Sequence, residues 1–205
     1  MKELDYNIIG TGSTGNAVRI GNIMIDCGMP YKKMKEELYK VDALLLTHSH
    51  KDHVLPATFK KIRKDFPNIK VFANAHTAYQ YDVDKVIGHA AFKVKKVNVI
   101  PFDGVHDVPV TGFIIRMDDM NILYMTDSSQ IDPPEGYVFD YMFLESNYDE
   151  KKLEMTAKEY ARNGYDPYAS VLRHLSTQKC KEFYFLNRRD KDSVLIELHQ
   201  SRRFY

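Results

Sequence analysis

Short apolar runs separated by glycine, asparagine and aspartate dominate the first half of the chain. They predict strands: Tyr6-Asn7-Ile8-Ile9, Ala17-Val18-Arg19-Ile20 and Ile23-Met24-Ile25-Asp26. The turn Gly10-Thr11-Gly12-Ser13-Thr14-Gly15 lacks the Gly-Lys-Ser/Thr ending of a phosphate loop, and strands follow it where a helix would begin. It reads as a hairpin turn that lies near a site. Pro30 to Tyr39 predicts a short helix with its proline near the start. Residues 42–46 form a strand, Leu55 to Asp65 a helix with a Lys/Arg-rich outer face, and Ile69 to Phe72 another strand. Phe92 to Ile100 largely alternates, as one half-buried antiparallel strand does, with its lysines on a solvated face.

The second half continues the pattern. Gly112–Arg116 and Ile122–Met125 are strands joined by a tight turn, and Tyr141–Leu144 is a buried strand. Asp149 to about Arg162 is an amphipathic helix ended by Gly164. A shorter helix surrounds Ser170 to Leu175, Glu182–Leu186 is the last strand, and the tail from Ser193 to Tyr205 fits either a strand or a helix. Strands in groups with helices interspersed predict one layered α/β or α+β domain over residues 1–205.

Composition narrows the class only a little. A formal net charge of +1 gives no overall field directed at nucleic acid or a membrane surface. Two distant cysteines, Cys27 and Cys180, make no disulfide framework and suit a reduced compartment. Neither a signal core nor a membrane-length apolar run is present, so the expectation is a soluble, cytoplasmic protein.

The chemistry concentrates in His48-Ser49-His50-Lys51-Asp52-His53, directly after the apolar run Ala43–Leu46. Imidazole and carboxylate are the ligands that zinc and similar divalent ions prefer. In an extended turn His48 and His50 point the same way and share one ion, while Asp52 and His53 face a second. His106, in a loop before a strand, and Asp127, after a strand, are further polar groups at strand ends and complete a metal site.

This order of motifs resembles the metallo-β-lactamase superfamily: Asp26 after a strand, His-x-His-x-Asp-His at 48–53, then His106 and Asp127. Gly-Ser-Thr-Gly-Asn at 12–16, Glu-Ser-Asn-Tyr-Asp at 145–149 and Arg-His-Leu-Ser at 173–176 resemble the YycJ/WalJ group. That group contains phosphodiesterases, some assigned as DNA exonucleases, and the phage anti-Pycsar cyclic-nucleotide phosphodiesterases are similar. The resemblance implies an αββα fold, two mixed sheets sandwiched between helices. It implies two divalent ions, zinc or else manganese: His48, His50 and His106 on the first, Asp52 and His53 on the second, and Asp127 bridging. Asp26 then braces the metal turn, and Glu145 packs or orients.

The implied activity is phosphodiester hydrolysis of a nucleotide or nucleic acid by a metal-activated hydroxide. Asp52 orients the hydroxide and His174 protonates the leaving oxygen. One departure stands out. The family's last histidine is absent after Glu182–Leu186, and Asn187 stands in its place. The second ion then binds weakly, exchanges for manganese or borrows His174, or the enzyme works with one metal. His199, in the tail, is expected to be no ligand, and His76, His89 and Cys27 are expected to be structural or exposed. Arg162, Arg173, Arg188 and Arg189 are candidate phosphate contacts or plain surface charges. Tyr165-Asp166-Pro167-Tyr168 offers rings to stack a base or pack a loop. The competing class is a nucleotide- or nucleic-acid-binding module without turnover. A homodimer is consistent with the resemblance, and no membrane partner is expected.

Overall fold

The alternation of apolar runs and turns becomes two mixed β-sheets with attendant helices in the computed structural model, which describes residues 3–162, 166, 168, 171–201 and 205. By contact density the chain divides into two units, Met1–Pro101 and Phe102–Tyr205.

In the first unit, β1 (Tyr6–Gly10), β2 (Ala17–Ile20), β3 (Ile23–Ile25), β4 (Ala43–Leu46), β5 (Lys70–Ala73) and β6 (Lys85–Val86) lie side by side in chain order. The pairing is antiparallel as far as β3 and parallel beyond it. Each parallel step needs a crossover. Helices α1 (Tyr31–Leu38) and α2 (Pro56–Asp65) supply the first two, and α3 (Ala75–Gln80) lies on the third. Ala43-Leu44-Leu45-Leu46 is buried at every position, the continuous apolar run of a central parallel strand. Met24, Leu44, Leu46 and Val71 share one core with Met34 and Leu38 of α1 and Phe59 and Ile62 of α2.

A hairpin follows: β7 (Phe92–Val94) and β8 (Val97–Asp103), joined at Lys95-Lys96. The single strand expected over 92–100 is therefore two. The double lysine breaks the alternation and Lys95 takes a positive φ of 52°, so the chain reverses there while Phe92, Val94, Val97 and Val99 stay buried. Lys93, Lys95 and Lys96 are exposed, as expected of a solvated face.

In the second unit, β9 (Thr111–Met117) and β10 (Met120–Met125) form a hairpin closed by Asp118 and Asp119, both at positive φ as a two-residue I′-type turn requires. β10 pairs in parallel with β11 (Tyr141–Glu145), and β11 in parallel with β12 (Val194–Leu198). Helix α4 spans Glu150–Arg162, and α5 (Thr177–Asn187) packs on β11.

Residues 182–186, expected to be the last strand, lie inside α5. Ser176 caps that helix by accepting the Lys179 N–H, and Thr177 and Cys180 are its buried residues at helical spacing. A four-residue apolar run, Phe183–Leu186, does not separate strand from helix by period alone. The last strand is β12, in the tail. Helix α3 and strand β6 have no counterpart among the elements expected from the sequence. The Gly164 helix stop and Ser170, the start of the short helix expected to reach Leu175, lie outside the described residues.

Candidate metal centre

In the first unit, parallel β3 and β4 end together, so the residues that follow them meet. Asp26, after β3, donates its backbone N–H to Leu45 O and takes a left-handed φ of 61°. Its fully buried carboxylate accepts the Thr47 N–H at 2.8 Å, the Thr47 hydroxyl at 2.8 Å and His53 Nδ1–H at 2.7 Å. Burial pushes this carboxyl up from its ordinary value, while His53 and Thr47 pull against that shift. With its one proton given to Asp26, Thr47 Oγ1 accepts from His48 Nδ1 at 3.0 Å. Both imidazoles thus carry their proton on Nδ1 and keep Nε2 as the basic nitrogen, the arrangement a metal-binding histidine needs. His48 Nε2 and His50 Nδ1 converge to 3.1 Å.

The glycine-rich turn braces this cluster, as expected of a turn near the site. Asn16 donates its backbone N–H to Asp52 O at 2.6 Å. Asn16 Nδ2 lies 2.8 Å from His53 Nε2, so an ion on that nitrogen must displace the amide. Gly28 is forced by close approach: a Cβ there would stand 1.7 Å from Asp52 O. Asp52 is partly open to solvent, and Lys51 is exposed.

In the second unit, three parallel strands end in chemistry. Asp127 lies just beyond β10, Glu145 is the last residue of β11, and His199 is the first after β12. Glu145 is 1% exposed and fully engaged. Its Oε2 accepts backbone N–H groups from Ser128 (2.9 Å) and Leu175 (3.3 Å), and its Oε1 faces Nδ1 of His174 (2.7 Å) and of His199 (3.2 Å). Burial pushes this carboxyl up, but the two histidine bonds outweigh it and hold the group below its usual value. His199 Nε2 lies 3.3 Å from Asp127 Oδ1, and Asn147 Nδ2 donates to His199 O at 2.8 Å. Donor atoms of Asp127, Glu145, His174 and His199 all fall within 4.8 Å of one another. The His174 ring stacks on His199 at 5.3 Å and lies 5.5 Å from that of His106.

Within the first unit, then, His48, His50, Asp52 and His53 come together with Asp26 as brace. Within the second, His106, Asp127 and His174 come together with Glu145. One expectation needs correction. Asn187 does not follow the last strand; it sits in α5 and donates to Phe183 O at 2.8 Å. The histidine that does follow the last strand is His199, which the sequence had suggested was no ligand. Its signal was the run Val194–Leu198 ending in a polar residue, the same strand-then-donor pattern as Ile23-Met24-Ile25-Asp26.

The minor candidates also sort. His76 and His89 are exposed. The Cys27 thiol is buried and pushed far up by that burial and by Asp26. Arg188 lies over the Tyr184 and Phe185 rings, and Arg189 is paired with Asp140. The Arg162 side chain and, in the tyrosine-rich stretch, Tyr165 and Pro167 lie outside what the structure describes.

The family model described as "Beta-lactamase superfamily domain" matches residues 21–176, and the chain belongs to that family. Among solved structures it is similar to the metallo-β-lactamase fold protein YhfI from Bacillus subtilis (15% identity, TM-score 0.71, covering 96% of this chain and 86% of that one). It is similar to a diphosphatase from the PhnP family (17%, 0.68, 97% and 87%). It is also similar to the short form of human tRNase Z (19%, 0.69, 97% and 93%). A search of curated proteins finds none that matches. The fold is therefore that of the metallo-β-lactamases, and the histidine–carboxylate donors fit the divalent metal that this fold implies. Among the described residues no helix is long and apolar enough to cross a membrane.

Proposed function

We propose that the protein is a metal-dependent phosphodiesterase acting on nucleotides or nucleic acid, with two divalent ions, zinc foremost. The observation that carries the reading is the Glu145–His174 contact at 2.7 Å beside Asp127. A carboxylate-anchored histidine is the type of group that protonates a leaving alkoxide, and this one stands next to a metal-class carboxylate. Two relatives of the same fold, a diphosphatase and a tRNase, agree with phosphate-ester chemistry. The short motifs at 12–16, 145–149 and 173–176 favour a YycJ-like exonuclease or a cyclic-nucleotide phosphodiesterase of the anti-Pycsar type.

In this proposal His48, His50 and His106 hold the first ion, and Asp52 and His53 the second. His199, and not Asn187, would stand for the family's last histidine, and Asp127 would be a further ligand. When bound, the metal supplies an acidified water and neutralises charge on the phosphoryl oxygens. The chain's own residues do the rest. Asp26 and Glu145 fix the imidazole tautomers, and Asp52 orients the attacking water. Protonated His174 gives its Nε2 proton to the leaving oxygen while Nδ1–H stays bonded to Glu145.

The test is product formation by zinc- or manganese-loaded protein. The substrates are 3′,5′-cyclic nucleotides, linear single- and double-stranded DNA, RNA and bis(p-nitrophenyl) phosphate, with Asp52→Ala and His48→Ala alongside. Turnover lost in both variants supports the proposal, and the substrate consumed names the branch. Silence across the panel with metal bound removes it and leaves a binding module.

A further inference from the structure

Of the arginines that were candidate phosphate contacts, the three whose side chains are described part company in the structure. Arg188 is spent on aromatic faces, and Arg189 grips Asp140 with two bonds of 2.7 and 3.1 Å. Arg173 is placed differently. Its Nη1 donates to Asp107 Oδ2 at 2.7 Å, and the other oxygen of the same carboxylate lies 3.1 Å from His106 Nε2. Arg173 also directly precedes His174 in the chain. Its side chain is 47% exposed and that of Asp107 41%.

An ion pair this open adds little to stability. What it does is aim a guanidinium. A free arginine side chain samples many rotamers, whereas among the described residues Asp107 holds this one by a single N–H and leaves four of its five donors for another acceptor. Asp107 divides its accepting capacity between Arg173 and His106, so the pair keeps an attraction for a further anion. With Nε2–H directed to Asp107, His106 presents Nδ1 as its basic nitrogen. The same short carboxylate thus orients a metal-class imidazole and an anion-seeking fork on one rim.

We propose that Arg173 is the anion-recognition residue of this site, taking a non-bridging oxygen of the substrate's phosphoryl group, with Asp107 as its positioning residue. The inference rests on the phosphodiesterase reading for the substrate's identity. It commits that site to anionic phosphate esters over neutral esters or lactams. A planar fork matches two phosphoryl oxygens, which a lysine in the same place cannot do.

The experiment uses the zinc-loaded full chain as wild type, Arg173→Gln, Arg173→Lys and Arg189→Gln, titrated calorimetrically with inorganic phosphate after zinc content and melting temperature are matched. Loss of one charge-assisted contact predicts roughly ten- to a hundredfold weaker phosphate binding for Arg173→Gln. Arg173→Lys should fall between that variant and wild type, and Arg189→Gln should stay within about twofold of wild type. On any diester the protein turns over, Arg173→Gln should raise KM far more than it lowers kcat. Phosphate bound equally well by Arg173→Gln, or weakened as much by Arg189→Gln, overturns the proposal. Because the titration needs no turnover, it tests the role of Arg173 even in a protein silent on every diester.

Discussion

Replacing Glu145 by glutamine changes one atom and sets two demands against each other. The Glu145 carboxylate accepts two backbone N–H groups on Oε2 and faces two imidazole Nδ1 atoms on Oε1. An amide keeps only one oxygen. If that oxygen faces Ser128 and Leu175, the NH2 group points at both Nδ1 atoms, which must then accept, and their protons move to Nε2. If the amide is turned round, two backbone N–H groups face a donor in a fully buried place, at roughly 1–3 kcal/mol for each orphaned group. The first arrangement wins. In the proposed metal centre it spoils His199 as a ligand, because the nitrogen 3.3 Å from Asp127 Oδ1 now carries a proton. Altering such an outer partner costs about ten- to a hundredfold in metal affinity, or about 1.4–2.7 kcal/mol. Zinc should be titrated against a competing chelator, with circular dichroism to show that the fold is kept. Stepwise zinc affinities equal to wild type would refute the reasoning. So would a loss of metal-free stability with no change in zinc affinity, since that is the signature of a merely structural carboxylate.

Three further outcomes are expected. Gly28→Ala drives a methyl group to within 1.7 Å of the Asp52 carbonyl oxygen and should lower stability by about 1–3 kcal/mol, read from the urea midpoint, together with zinc uptake. His199→Ala should reduce the zinc bound per chain, whereas Asn187→Ala should leave it unchanged; mass spectrometry under native conditions distinguishes them. Glu37 is pushed up by burial, but its bonds to buried Arg19 and to Lys40 outweigh that and lower its pKa. Its contribution is complete at neutral pH, begins to fade as pH drops through the ordinary carboxylate range, and is gone below the lowered folded value. Glu37→Gln should therefore destabilise the protein near neutrality and flatten the acid limb of its stability curve, followed by denaturation at stepped pH.

Local chemistry was legible in the sequence, and long-range partnership was not. The turn 48–53 announced itself because six consecutive residues carry its donors and an apolar run before it marks a strand end. Asp26 and Asp127 could be placed by the same logic. Glu145 could be placed at a strand end, but its four partners come from Ser128, His174, Leu175 and His199, which no local pattern links. The strand-end position of His199 was hidden by element type. Phe183-Tyr184-Phe185-Leu186 favours a strand on propensity, yet the Ser176 cap and the buried Cys180 make it helical, leaving Phe185 and Leu186 60% and 76% exposed. With the last strand placed there, the histidine after the true last strand has no role left.

Backbone conformation explains why the donors stand where they do. Six non-glycine residues take positive φ among the described residues. Lys95, Asp118 and Asp119 belong to hairpin turns, where that geometry closes the loop. The other three are Asp26, Asp127 and His199, at φ 61°, 51° and 54°, each just beyond a strand that has a parallel neighbour. A side chain in this region costs of order 1 kcal/mol or more, and glycine would adopt it freely. Each position instead keeps a carboxylate or an imidazole, so the strain is retained for the side chain's sake. Parallel pairing makes neighbouring strands end on the same edge, and a left-handed residue there breaks the alternation and turns the next group along that edge. Side chains fixed in this way depend on strand ends and hardly at all on what fills the rest of each strand.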